Sequence, residues 1–545
     1  MKRGLLYLLS GFGLLALVAV ITLAVLVGTN TLTPDKIALF IKFNPYLTAA
    51  NPVESRASIQ ATLVRLKSVA FSFPSMGQGF DSGGGAILEV AGGILVSERS
   101  GRFFFFDERG KEPALKLTKI SIDINQAGFE RYADSQGYAV KPGSNVGYAG
   151  LGMRVHDLLM LRDGKHVLAS YTHWSDEQHC AAERVVIAEL VQGDGLPEAG
   201  SWKQVFETKP CLELSGYKNK PFAGHQAGGR MVEQADGKIL LTVGDFKNDG
   251  AKREISVADL SNDYGKIHEI DLATGQSQIF TRGHRNPQGM TIAEDGTVWA
   301  TEHGPTGGDE LNLIVQGTDY GWPKVTLGHD CDGCGWQVEG RHDGFTPPVF
   351  AYVPSIGISN LVQLHNFTPL WDDDLLVASL AGQALHHLRL NGHAVVYDEP
   401  VPMGDRLRDM IQLADGRVAV WTDSGRLVFL SEDKELSFAD KLAVDLSASA
   451  KDMVQQCKGC HDLNEGQGRQ GKVSLWQIEG RGRGSLAGVV YSPALKAIGG
   501  TWTHENLDLF LKDPQQAVPG TTMPLAGIED AALRKELVDF LVKLR

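Results

Sequence analysis

QADGKILLTVGD, residues 234–245, places an Asp-Gly turn in front of an apolar, partly β-branched run that ends in polar residues. A short strand entered through a tight turn reads this way, because glycine supplies the backbone angle the turn demands and Ile, Leu, Thr and Val pack on a pleated surface. The pattern returns in LRDGKHVLASYTH (161–173), AEDGTVWATEHG (293–304) and LADGRVAVWTDSG (413–425), and more weakly in VAGGILVSERSG (90–101) and WDDDLLVASLAG (371–382). Six copies at intervals of about 40–80 residues predict radial repetition, an all-β six-bladed β-propeller over 65–435. A β-sandwich of about 100 residues would not absorb so many units.

At 545 residues the chain exceeds what one hydrophobic core sustains, roughly 250–300 residues. Its 43% hydrophobic and 21% charged residues are those of a globular protein, and 65 acidic against 52 basic groups give a net charge of −13. That balance argues against nucleic acid as a partner, which calls for a basic face. SASAKDMVQQCKGCH, THENLDLFLKDP and IEDAALRKELVDFLVKL, all beyond residue 440, show helical periodicity instead. In the last of them Leu533, Leu537, Phe540 and Leu541 share one face. A small all-α domain over 445–545 follows.

The chain starts MKRGLLYLLSGFGLLALVAVITLAVLVGTN, without a charge from Leu5 to Val27. This is long enough to cross a hydrocarbon core of about 30 Å and predicts an N-terminal transmembrane helix over 1–30. Lys2 and Arg3 set its start in the cytoplasm, leaving the rest periplasmic at a bacterial inner membrane. A cleaved signal peptide is the competing reading, but its apolar region runs only about 7–15 residues and ends at a small-x-small site. Prolines 34, 45 and 52 mark a linker over 31–64. Exported cysteines are available for haem or disulfides. With Cys457 and Cys460 set aside, Cys180, Cys211, Cys331 and Cys334 remain. They suggest a 180–211 bridge and a tight 331–334 bridge, with metal binding by the second pair as the alternative.

QQCKGCHDLN (455–464) carries Cys457, Cys460 and His461 in the spacing of covalent haem attachment: two thiols one helical turn apart for the vinyl groups, and an imidazole to face the iron. TTMPLAG offers Met523 as sixth ligand, and thioether ligation raises the iron's potential, as suits an electron acceptor. Met453, four residues before Cys457 on the same helix, is the competitor and is expected to face away. With GR (482–483), YSPAL (491–495) and FLKDPQQAVPGTTMP, the segment 445–545 resembles class I cytochrome c, which implies one covalent haem c.

Three propeller segments are dense in polar groups: GHQAGGRM (224–231), RGHRNPQGM (282–290) and TEHGPTGGDELN (301–312). Over about 90–430 they resemble the glucose/sorbosone dehydrogenase family, propellers that use pyrroloquinoline quinone (PQQ) and calcium. The resemblance implies His225 as general base, Asp245 behind it to orient the imidazole, and Arg285 with Asn286 beside the reacting carbonyl. It implies calcium on the backbone carbonyls of Gly304 and Pro305, and a cofactor clamp of Arg406 and Arg408 in GDRLRDM. The clamp also has a plain physical reason. PQQ carries three carboxylates, guanidinium forks bind carboxylates bidentately, and two arginines two apart in a strand point to one face. Two departures are visible: YVPSIGISNLVQLHN (352–366) holds no lysine where the family carries one near the cofactor, and Gly224 precedes the base where some members carry an acid. Glu98 and Arg99 in VSERSGR are further pocket candidates.

The expectation is a membrane-anchored periplasmic quinoprotein that oxidises a sugar, or a related polyol or aldehyde, and passes electrons to its own haem and then to a respiratory acceptor. Fusion raises the effective concentration of that haem at the donor. The alternatives are a cofactor-less propeller serving as a binding module, and an electron carrier with the propeller as docking platform.

Overall fold

The computed structural model describes residues 53–62, 64–73, 84–108, 113–137, 153–192, 196–214, 222, 224–248, 256–328, 341–433, 438–463 and 473–545. The anchor expected over 1–30 and the Cys331–Cys334 pair lie outside the described residues. Among the described residues no helix is long and apolar enough to cross a membrane. The chain divides into two units, up to Glu432 and from Asp433.

The first unit holds six antiparallel sheets. Five of them succeed one another along the chain over 87–121, 155–213, 228–282, 287–352 and 358–402. The sixth combines the strands Leu407–Gln412, Val418–Thr422 and Arg426–Glu432 with two from the other end, Val53–Gln60 and Arg65–Ser72. The first strands of successive sheets lie side by side, and Leu407–Gln412 returns to Ile87–Val90, so the ring closes as a six-bladed propeller. Strand Val53–Gln60 corrects the reading of 31–64 as linker throughout. Its neighbour pairs with Arg426–Glu432 from Leu66↔Glu432 to Ser72↔Arg426, so the N-terminal strands are the clasp that joins the two ends of the ring.

Each repeat read from the sequence is the turn into a blade's second strand plus that strand. For the opening stretch the strand is Ile239–Val243, buried at all five positions. The turn glycines 92, 164, 237, 296 and 416 all have φ between 66° and 89°. The fifth blade has Asp373 with φ 66° in that place, which explains its weak match. The turn aspartates accept backbone amides two residues on, as in Asp163 Oδ1 from Lys165 (2.8 Å) and Asp295 Oδ1 from Thr297 (2.9 Å).

A buried ion network ties the blades near the axis. Arg230 reaches Asp157 (2.6 Å) on the neighbouring first strand and Asp409 (2.9 Å) on the first strand of the sixth blade, across the ring. Asp409 also accepts from the Ile87 amide and from Asn360, both at 2.8 Å. One carboxylate thus links four blades. Burial pushes Asp157 up to about 7 despite Arg230, with Asp409 adding to the rise. Cys180 and Cys211 form a disulfide within the second blade, as expected.

The second unit is helical. Ala448–Cys460, His504–Lys512 and Ala531–Leu541 pack around a core that includes Val454, Phe510, Leu537 and Phe540. Each helix has a side-chain N-cap, Ser447, Thr503 and Asp530 respectively.

Candidate functional sites

In a propeller, the entrance of each first strand and the exit of each second strand lie at the same end of the ring. Nearly every candidate falls there. His225 precedes strand Gly228–Glu233 and Asp245 follows Ile239–Val243. Arg285 and Asn286 precede Pro287–Ile292, and His303 to Pro305 follow Val298–Glu302. Arg406 and Arg408 bracket the start of Leu407–Gln412. The topology therefore gathers residues some two hundred positions apart, and Arg99 and Arg154 come to the same end from the first two blades.

The electrostatics of this end are cationic. Arg406 Nε (2.9 Å), Arg408 Nε (2.8 Å) and Arg408 Nη2 (2.9 Å) all bind one buried carboxylate, Asp423. The His225 side chain is exposed yet surrounded by positive charge. Burial, then the positive charges of Lys247, Arg154, Arg99 and Arg408, lower its pKa to about 4. His303, half-buried, is likewise lowered to about 4 by burial and by Arg285, Arg408 and Arg406, against the pull of Asp309. Even Arg154 is depressed, to about 9, by burial and by Arg408 and Arg99. An arginine below its usual range is a cation without enough anion. A planar tricarboxylate fits this end for that reason.

Asp245 has other partners than those expected of it. Its carboxylate accepts from Trp322 Nε1 (3.0 Å) and from the Lys247 amide (2.8 Å). With its amide oriented to satisfy both neighbours, Gln226 donates to Asp245 Oδ1 (2.6 Å) and accepts from Arg285 Nη2 (2.7 Å). Gln226 thus links the Asp245 carboxylate to the arm of Arg285. Arg285 also lies over Trp322, at 5.4 Å, and donates to the carbonyls of His303 (3.1 Å) and Gly304 (2.7 Å). Asn286 is buried and accepts from Gln288 (2.8 Å).

The Gly304 turn is rich in backbone oxygen. A Cβ at 304 would meet the Gly307 carbonyl at 2.1 Å and that of Gly308 at 2.4 Å. Hard oxygen donors of this kind suit calcium, which would share the Gly304 carbonyl with Arg285. Glu98 is engaged elsewhere, with Arg102 (2.6 Å) and Ser100 (2.7 Å). The reading of the sequence missed Arg154, Gln226, Lys247, His303 and Asp423. Lys247 stands two residues beyond Asp245 and Asp423 lies in the exit WTDSG of a repeat already marked, so the repeat itself was the signal available.

In the helical unit a cavity of about 270 Å³ is lined by Cys457, Cys460, His461 and Met523 within an apolar wall. The cysteines end helix Ala448–Cys460, and His461 turns out of it in extended conformation. His461 Nδ1 lies 3.1 Å from the Val473 carbonyl, which fixes the ring by donation from Nδ1 and makes Nε2 the candidate ligand atom. Burial raises the Cys457 thiol. The donor set fits haem c, which Cys457, Cys460, His461 and Met523 would hold. Met453, expected to face away, also lines this cavity.

A ring of six blades with a cationic, histidine-bearing end, followed by a helical unit with a CxxCH cavity, defines a propeller oxidoreductase joined to a cytochrome. The chain belongs to the glucose/sorbosone dehydrogenase family, whose model matches residues 86–429, and its C-terminal part to the cytochromes c. It is 27% identical over 409 residues to an uncharacterised protein of Synechocystis, covering 70% of this chain and 90% of that one. It is 28% identical to the aldose sugar dehydrogenase of Escherichia coli, over 44% of this chain and 66% of that protein. The C-terminal part is 40% identical over 81 residues to cytochrome c-550 of Nitrobacter winogradskyi, covering 15% of this chain and 74% of the relative. Among solved structures, a glucose dehydrogenase superposes with a TM-score of 0.52 at 22% identity, over 70% of this chain and all of that one, a likeness of fold.

Proposed function

We propose that the propeller is a PQQ- and calcium-dependent dehydrogenase of a sugar, or a related polyol or aldehyde, and that the helical unit is its electron acceptor through one covalent haem c. The observation that carries this reading is the gathering of a neutral histidine and an excess of guanidinium charge at one end of the ring.

PQQ, when bound, supplies a two-electron acceptor for the hydride that leaves the substrate's carbinol carbon, and haem c supplies a one-electron acceptor. His225 is held unprotonated at neutral pH, so it takes the hydroxyl proton of the substrate without first losing one of its own. Arg406 and Arg408, braced by Asp423, bind anionic carboxylates as a fixed fork. Arg285, held by Gln226 and stacked on Trp322, presents a positive charge where oxygen gains electron density. Gly304 and Pro305 would hold calcium through backbone oxygen. A haem held by Cys457, Cys460 and His461 would supply the one-electron route from the propeller to a downstream respiratory acceptor. The Cys180–Cys211 disulfide supports an exported, periplasmic setting, and residues 1–30 would tether the chain to the inner membrane.

The test is His225→Gln, which keeps the cations and the fold. Sugar-dependent haem reduction should fall by at least about 100-fold, as removal of a general base does, with dithionite-reducible haem unchanged. Undiminished reduction would remove His225 from the chemistry.

A further inference from the structure

Arg154 has no role in the account so far, and its position calls for one. It immediately precedes strand Val155–Met160, and its carbonyl accepts the Thr172 amide at 3.1 Å, which fixes the backbone. Room for its stem comes from Gly84: a Cβ there would stand 2.9 Å from Arg154 Cδ and 3.2 Å from Arg99 Cβ. Gly84 has φ 143°, a conformation that glycine tolerates best. The local chain is thus arranged to admit two arginine stems side by side.

What surrounds the Arg154 head is mostly of its own sign. Arg408 and Arg99 repel it, and His225 feels its charge. Asp423 attracts it from a distance but is spent on Arg406 and Arg408. Glu183 attracts it as well, with both carboxylate oxygens buried and without a hydrogen bond, 3.3 Å from His156. Among the described residues no ion pair or hydrogen bond holds the Arg154 guanidinium. A half-buried cation beside other cations is stable only where an anion completes the set. Segment 352–366, on the opposite side of the ring, contributes no lysine to that set.

We propose that Arg154 is a third guanidinium anchor of the anionic cofactor, taking a carboxylate group of PQQ that the Arg406–Arg408 pair leaves unheld. The inference rests on the PQQ-dependent reading above and deepens it by naming a residue of this chain that sets cofactor affinity. It also accounts for Gly84, since any larger residue would push the two stems apart.

The experiment is equilibrium titration of the full-length, haem-loaded, cofactor-free protein with PQQ in calcium buffer, followed by tryptophan fluorescence, for wild type, Arg154→Gln and Arg154→Lys. Thermal melting without PQQ is measured in parallel. The expected result is a dissociation constant at least about tenfold higher for Arg154→Gln, with partial recovery in Arg154→Lys, which keeps the charge and loses the fork. The salt dependence of binding should weaken in Arg154→Gln alone. PQQ affinity within about twofold of wild type in both variants overturns the proposal. So does a drop in melting temperature with unchanged affinity, which would make Arg154 only a counter-charge for Glu183. If Arg154→Gln does not fold, an Arg154→Lys affinity equal to wild type at every salt concentration overturns it. Failure of the wild type itself to bind PQQ sinks the parent reading, a different outcome.

Discussion

The acidity of His225 is the most informative number the candidate site offers. An ordinary imidazole titrates near 6.5, whereas burial and four cations bring His225 to about 4. The sign follows from the cause. Positive neighbours disfavour the imidazolium, so the proton leaves at lower pH, and at pH 5 about 90% of the residue is neutral instead of about 3%. Adding a polyanion to the same end must reverse part of this, because three carboxylates screen the guanidiniums. His225 should therefore titrate near 4 in the cofactor-free protein, by the ¹³Cε1 shift in NMR, and move upward with PQQ. Lys247→Met should also move it upward, because Lys247 is the largest of the four charge contributions. The same depressed pKa makes stability pH-dependent: the contribution is fully present above about 6.5 and is lost as pH falls through about 4, because the unfolded chain takes up the proton first. A His225 that titrates at 6.5 with and without PQQ would refute the picture of an unbalanced cationic end.

Other consequences can be measured separately. Asp409→Ala removes one carboxylate from Arg230 and strands the Ile87 amide and Asn360, and breaking a buried pair of this kind costs about 3–5 kcal/mol. With an unfolding entropy of about 2.1 cal/mol/K per residue over about 380 residues, the melting temperature should fall by about 4–6 °C in calorimetry. Replacing Cys180 and Cys211 by serine opens a crosslink with a sequence separation of 31 and should cost about 3–4 kcal/mol in denaturant melts. Met523→Ala should leave the haem covalently attached but lower its reduction potential, within the ~0.8 V that axial ligation commands. An unchanged potential would point to Met453 as the ligand, since it lines the same cavity.

Local chemistry was legible in the sequence, and pairing over long distances was not. The turn glycines and buried second strands announced themselves because a turn's positive φ and a short continuous apolar run act within a few residues. Strand Val53–Gln60 went unread because it pairs only with Arg65–Ser72, whose own place depends on strands some 350 residues away, and six of its eight positions in succession are exposed. CxxCH was readable because attachment chemistry fixes its spacing, whereas the orientation of Met453 depended on where the cavity formed. In the propeller, His225, Arg406 and Arg408 were named from short motifs. Asp245 was named with them, but its carboxylate faces Trp322 and Gln226, a matter of side-chain direction at a strand exit. Arg154 stood in a stretch with no distinguishing pattern, and only closure of the ring brought it beside Arg408.

The central claim is that sugar oxidation in the propeller feeds the haem of the same chain. Its most direct test is the visible spectrum of the purified, oxidised protein as calcium, PQQ and then a panel of aldoses, polyols and aldehydes are added. The account predicts reduced c-type haem bands only when cofactor and a substrate are both present, at a rate independent of protein concentration because the acceptor is built in. A haem that dithionite reduces, but that no member of the panel reduces once PQQ is shown to be bound, would contradict it.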